Sequence, residues 1–438
     1  KTPKLIRHNH LLLKGYSHLN KIYRTFLSDE FRCTSEWHSR LQVPFMQRVN
    51  ADNLYYDIEQ SFQQQGKASA IDVDIYVNKL QDAHTDEVAD ILHKLRLTEE
   101  TTNTLDSTSH AVIRNFLDKG HTEELLQILD DRLSYGVFLD NYIASYALNT
   151  FIKKNDFHSA ARIASFLMLQ EDVDNAVNNI LSLYACYRYL EKNEPFYAPK
   201  EENNEEEKEV IKVRVKYIRN EFFDDHFDLK DSNHLVGKTM AMMGPKINSA
   251  IGKNFELLGW VLYQKYDKAL NTLKSGGKDF YKDIVTKCIE KCPESAENPN
   301  LDQLKSQLKQ ILSAGELNTS NFESNVKKLT KETIAKNEAI EIEKQKKVYS
   351  SWNSIREQKL KEEQERLLRI KRVKEIEKIS EEMKKEEQKL WFFENEENID
   401  LLIDSKKVFY PKRWFGKKKK PRVVDTDYVP PEIVKQRS

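Results

Sequence analysis

The chain has 438 residues, with 70 basic and 70 acidic side chains and a formal net charge of zero, a total that hides local blocks of either sign. Hydrophobic residues make up 39% and charged residues 32%, and no uncharged apolar run approaches the roughly 20 residues needed to span a bilayer. Only 12 glycines and 11 prolines are present, which disfavours a strand-rich fold and favours an all-α one.

Four cysteines (Cys33, Cys186, Cys288, Cys292) in a chain of this length do not form a disulfide framework, so a reducing compartment is expected. The sequence begins at Lys1 without methionine and carries no signal-peptide pattern. The expectation is a processed or truncated N-terminus, consistent with a removed targeting peptide.

Residues 1–50 read as a basic N-terminal extension with one or two helices, marked by Lys4, Arg7, Lys14, Lys21, Arg24, Arg32, Arg40 and Arg48. Residues 51–193 carry a repeat. Phe116, Leu117, Lys119 and Ile128 recur thirty-five residues later as Phe151, Ile152, Lys154 and Ile163. A period of that length, made of two short apolar-periodic stretches, predicts stacked helix–turn–helix units. In one second helix, Leu126, Leu129 and Leu133 fall at helical spacing and mark a buried face. His84 to Leu92 and Asp156 to Ala164 are further copies, the latter with Ala160, Ala161 and Ala164 small enough for close helix approach. Gly120 and Asn155 sit at the turns, where a left-handed residue is needed. Leu181 to Tyr187 is another first-helix candidate.

Residues 194–214 form an acidic linker or insertion, with Glu201, Glu202, Glu205, Glu206, Glu207 and Glu209. Helical pairs resume over 215–293, including Leu257 to Leu262 followed by Tyr266 to Leu270. Residues 294–322 form a connecting segment. Residues 323–392 predict one long charged helix without Gly or Pro, whose apolar positions are thin (Val373, Ile376, Ile379, Met383, Leu390). It is expected to lean on a partner for part of its length, with a coiled-coil dimer as the alternative. Residues 393–438 form a basic aromatic tail, in which Lys412, Arg413, Trp414 and Phe415 lead into Lys417, Lys418, Lys419, Lys420 and Arg422. Cations interleaved with aromatics suit contact with a nucleic-acid backbone and its bases, and a solubilising tail is the plainer reading.

Candidate chemistry is sparse. Val236-Gly237-Lys238-Thr239 ends like a phosphate loop, but Ser232 stands where the motif needs its first glycine, and the residues before it are too polar for a buried strand. Cys288 and Cys292 share one helix face without further ligands at zinc spacing, and His8 and His10 lie in the basic extension. No hydrolase or metalloprotease signature occurs. No catalytic residue, metal or cofactor is therefore expected.

Phe151 to Ala161, preceded by Tyr135 to Asn141, resembles a pentatricopeptide repeat. A few such repeats, a helical middle and a long charged helix together resemble the pentatricopeptide-repeat family of the mitochondrial small ribosomal subunit, most clearly over 106–193. The resemblance implies a short α-solenoid in the mitochondrial matrix that contacts small-subunit rRNA and neighbouring ribosomal proteins. It implies no enzymatic activity, no small-molecule substrate and no membrane. Such repeats read one base through two or three side chains; alignment places those positions at His110 and Ser145, with Asp140 and Asn175 at unit ends. With two or three units, shape and phosphate contact is the expected mode. The alternative is a free pentatricopeptide-repeat RNA-processing or translation-activating factor, and a coiled-coil scaffold without an RNA role is a third reading.

Overall fold

The computed structural model describes residues 26–80, 85–192, 194–197, 226, 229–276, 279–293, 299–314 and 317–406. His8, His10 and the Glu201 to Glu209 run lie outside these residues. Among the described residues every named element is helical, and a single bridge between Tyr281 and Asn318 is the one β pairing. The chain divides into two units, residues 1–361 and 362–438.

Short helices α1 (Thr34–Ser39) and α2 (Pro44–Arg48) precede α3 (Ala51–Gln65), α4 (Ala70–Lys79) and α5 (Thr85–Arg96). The central array follows as α6 (Asp106–Lys119), α7 (Thr122–Asp130), α8 (Arg132–Tyr135), α9 (Asn141–Lys153), α10 (Phe157–Leu169) and α11 (Ala176–Lys192). Then come α12 (Ser232–Met243), α13 (Ala250–Leu262), α14 (Tyr266–Gly276), α15 (Lys282–Lys291) and α16 (Pro299–Ala314). The long α17 (Phe322–Glu394) and the short α18 (Glu396–Ser405) complete the described chain.

The repeat is visible in the backbone. First helices α6, α9 and α11 begin at Asp106, Asn141 and Ala176, thirty-five residues apart. Gly120 and Asn155, equally spaced, both take left-handed backbone with φ of 86° and 57°. At each turn the carbonyl five residues back is taken up: Phe116 O accepts the amide of His121 at 3.0 Å, and Phe151 O accepts that of Asp156 at 2.9 Å. Satisfying these terminal carbonyls ends the first helix and starts the next one antiparallel. Helix α10 packs against α7, α9, α11 and α12, and its Ala160, Ala161 and Ala164 are fully buried.

Leu133 departs from the expected buried face and is 77% exposed. Helix α7 stops at Asp130, and the Asp131 carboxylate accepts the Ser134 amide to start α8, so the helical phase is reset before Leu133. The sequence Gly237-Lys238-Thr239 serves helix packing. A methyl group at Gly259 would lie 2.6 Å from Gly237 O, so α12 and α13 cross at a distance that only glycine allows. Lys238 is buried with its ammonium 5.0 Å from the Tyr263 ring.

The first forty residues of α17 supply the remaining wall of the first unit. Its buried side chains are Phe322, Val326, Thr330, Ile334, Gln345, Tyr349, Trp352 and Arg356, a stripe stepping mainly by three or four. Phe322 packs on Phe255 and Tyr281, Glu323 pairs with Arg188, Glu341 accepts from Asn175, and Arg356 meets Asp74. The helix therefore runs back along the array, against chain order. Within this unit, the partner that the helix leans on is the chain's own repeats.

The Arg356–Asp74 pair is fully buried, with Nε donating to Oδ2 at 2.6 Å. Asp74 Oδ1 accepts in addition from Ser107 Oγ at 2.6 Å, Thr108 Oγ1 at 2.7 Å and Asn78 Nδ2 at 3.1 Å. Four donors on one buried carboxylate join α4, α6 and α17. Removing one partner of such a pair leaves an uncompensated charge. Arg356→Ala is thus expected to destabilise the folded chain by about 3–5 kcal/mol, read by urea unfolding. Arg366→Ala, whose pairing with Glu363 is exposed, should change stability by less than about 0.5 kcal/mol. Equal effects of the two substitutions would show that the buried pair does not anchor α17.

Candidate functional site

Where α6, α9 and α11 begin, their inner faces meet α17. The residues expected to read bases collect here, and most of them are engaged inside the protein. His110 is buried on α6; its Nδ1 lies 2.8 Å from Asp140 Oδ2 and its Nε2 lies 2.9 Å from the Tyr349 hydroxyl on α17. Arg114, one turn further along α6, donates from Nη1 to the same hydroxyl at 2.6 Å and from Nη2 to Arg32 O at 2.5 Å. Ser145 on α9 is fully buried and donates to Asn178 Oδ1 at 2.5 Å. Neither His110 nor Ser145 presents its polar atoms to an outside base in this arrangement.

Asp140 and Asn175 have a local role that the repeat pattern does not assign to them. Asp140 is the N-cap of α9, accepting the Ile143 amide at 2.8 Å. Asn175 stands in the same place before α11, where its Oδ1 accepts the amides of Val177 at 2.8 Å and Asn178 at 3.0 Å. Its Nδ2 donates to Glu341 of α17 at 2.7 Å. Capping explains why a short polar residue recurs at unit ends: it satisfies amides that have no partner inside the helix. The signal is present in the sequence, since Asp140 immediately precedes an apolar-periodic run.

Aromatic packing completes the cover. The His110 ring lies 5.0 Å from Trp352 and 5.5 Å from Trp37, and Trp37 lies 5.6 Å from Tyr349. The Arg40 guanidinium sits 3.4 Å above Trp37 and donates to Trp37 O at 2.6 Å and to Asn78 O at 3.2 Å. Tyr349, Trp352, Arg356, Arg114 and Asp74 carry this assembly, and sequence reasoning singles out none of them. The one sign of it is Tyr349 and Trp352 at helical spacing within a charged run. Beside the cover lies a partly open cavity of about 480 Å³, lined in part by Phe138, Asn141, Lys344 and Gln345.

Burial holds the His110 imidazole below its ordinary value, and Arg114 and Arg40 act in the same direction against the opposing Asp140 carboxylate. The neutral ring satisfies the network: Nδ1–H donates to Asp140, while Nε2 accepts the Tyr349 hydroxyl proton. A second ring proton would place two donors on that hydroxyl, because Arg114 already donates there. Burial also pushes the Tyr349 phenol up to about 12, so it stays a donor throughout the neutral range. The thiols of Cys288 and Cys292 are likewise raised by burial, which disfavours the thiolate that a metal would need.

The tail residues Lys412, Arg413, Trp414, Phe415, Lys417, Lys418, Lys419, Lys420 and Arg422 lie outside the described residues. Among the described residues, no helix is long and apolar enough to cross a membrane.

The lowered His110 value fixes the sign of a pH effect. Below about pH 6.5 the unfolded chain binds a proton that the folded chain refuses, so stability is full above that pH and falls as pH drops towards the folded value. Urea unfolding at pH 7.5 and 5.5 should show a larger loss for the native chain than for His110→Gln. An identical loss in both proteins would exclude His110 as the source.

A family model described as mitochondrial 28S ribosomal protein S27 matches residues 4–382. The chain belongs to that family, proteins of the mitochondrial small ribosomal subunit, and is therefore a mitochondrial matrix protein.

Proposed function

We propose that this protein is a fixed architectural component of the mitochondrial small ribosomal subunit, joined to rRNA by its basic tail and to neighbouring ribosomal proteins by its helical surfaces. The family assignment supplies the ribosomal context. The observation that carries the mode of action is the covered inner face. Positions at which a repeat array would present side chains to bases are instead used to seat the chain's own α17. A protein that closes this face on itself is suited to shape and phosphate contact, and poorly suited to scanning free RNA for sequence.

Phosphate contact falls to Lys412, Arg413, Lys417, Lys418, Lys419, Lys420 and Arg422, seven cations within eleven positions. Each phosphate they neutralise releases condensed counterions, which ties affinity to salt. Trp414 and Phe415 add flat surfaces for stacking on a base or packing on a protein.

The endogenous protein should sediment with the small subunit in mitochondrial lysate, and RNase should release it. A slow-sedimenting peak unaffected by RNase would contradict the proposal. Replacing Lys417, Lys418, Lys419 and Lys420 by alanine should weaken association with small-subunit rRNA. It should also lower the slope of log affinity against log salt by about 3, at roughly 0.7–0.9 for each phosphate left without its cation. An unchanged slope would remove the tail from the interface.

A further inference from the structure

The second unit carries a feature that the ribosomal reading leaves unexplained. The last turn of α17 exposes three consecutive aromatics, Trp391, Phe392 and Phe393, with Trp391 59% and Phe393 68% exposed. After a one-residue break at Asn395, α18 exposes Leu401, Leu402 and Ile403. Hydrogen bonds run through the break: the Asn395 amide bonds Trp391 O at 3.1 Å, its side chain donates to the same carbonyl at 2.9 Å, and its own carbonyl accepts the Ile399 amide at 2.9 Å. Contiguous large apolar groups of this kind mark an interaction site, and a helix of ten residues gains little stability in water without a packed face.

Charge selects the kind of partner. Residues 391–405 hold five carboxylates (Glu394, Glu396, Glu397, Asp400 and Asp404) and no Lys, Arg or His. On α18, Ile399, Leu402 and Ile403 share one face by their spacing, while Glu396, Asp400 and Asp404 follow one another at four-residue steps along its flank. RNA backbone and anionic lipid are repelled by such a segment. An apolar groove edged with Lys and Arg complements both its charge and its aromatics. The family match ends at residue 382, so family membership assigns nothing here.

We propose that residues 391–403 are a protein-docking element that inserts Trp391, Phe392 and Phe393 into an apolar groove bordered by basic side chains on a neighbouring ribosomal protein. This rests on the ribosomal reading above, and it divides the labour at this end of the chain: the acidic helical segment takes protein, the basic tail takes RNA.

The test places a photoreactive benzoylphenylalanine at Phe393 in the full chain, expressed in mitochondria, and maps the adduct in sedimented small subunits. The expected product is a crosslink to a Lys- and Arg-rich stretch of another ribosomal protein. It should fall at least tenfold when Glu396→Lys, Glu397→Lys and Asp400→Lys are combined, with sedimentation retained. The milder Leu402→Ala should lower the yield several-fold without altering charge. An adduct on rRNA, on residues 407–438 of the same chain or on a second copy would overturn the proposal. So would a yield insensitive to charge reversal, or no adduct in subunits that contain the protein. Absence of the protein from the small-subunit peak would overturn the ribosomal reading itself, and this inference with it.

Discussion

A buried carboxylate with one counter-ion governs the first unit. Asp74 lies in the interior on α4, and its charge is matched by Arg356 from the far side of the fold. Ser107 and Thr108 at the start of α6, with Asn78, fill its remaining acceptor capacity. Neither charge would be tolerated alone in that environment, so seating α17 and satisfying Asp74 are the same event. The neighbouring Tyr349 hydroxyl acts similarly, standing between a neutral imidazole and a guanidinium and fitting only when His110 and Arg114 are both in place. A stripe of polar and aromatic residues thereby specifies one register for a helix that simple hydrophobicity would position loosely.

This use of polar specificity bears on function. Repeat arrays usually keep one face free for an outside ligand. Here that face receives Tyr349, Trp352 and Glu341 from the same chain, while the terminal amides of α9 and α11 are taken up by Asp140 and Asn175. The helix beyond residue 361, by contrast, is charged and exposed along nearly all of its length. Membership of the mitochondrial 28S ribosomal protein S27 family gives the protein its setting.

Much of the fold is legible in the sequence because its determinants are local. Scarce turn formers point to helices, and the thirty-five-residue recurrence locates Gly120 and Asn155 at turns that need left-handed backbone. Leu133 misleads because helical spacing carries across a break that one capping carboxylate is enough to cause. The inner face is illegible for a different reason. Its determinants are single polar residues paired across 239 positions for His110 and Tyr349, and 282 for Asp74 and Arg356, and no periodicity encodes such pairs. The residues that alignment to a base-reading pattern selects, His110, Ser145, Asp140 and Asn175, serve burial, internal hydrogen bonding and helix capping in the fold.

The reversed course of α17 has a consequence for how the chain reaches this state. Its early helices are closed by its last segment, so the contact completing the α4–α6 region joins residues 282 positions apart. Closing so long a loop costs entropy before any contact repays it, and high contact order slows folding. A chain emerging from its N-terminus holds Asp74 without Arg356 until more than four fifths of its length is available. The buried site for that carboxylate is therefore complete only after the segment that seats Tyr349, Trp352 and Arg356 has been made.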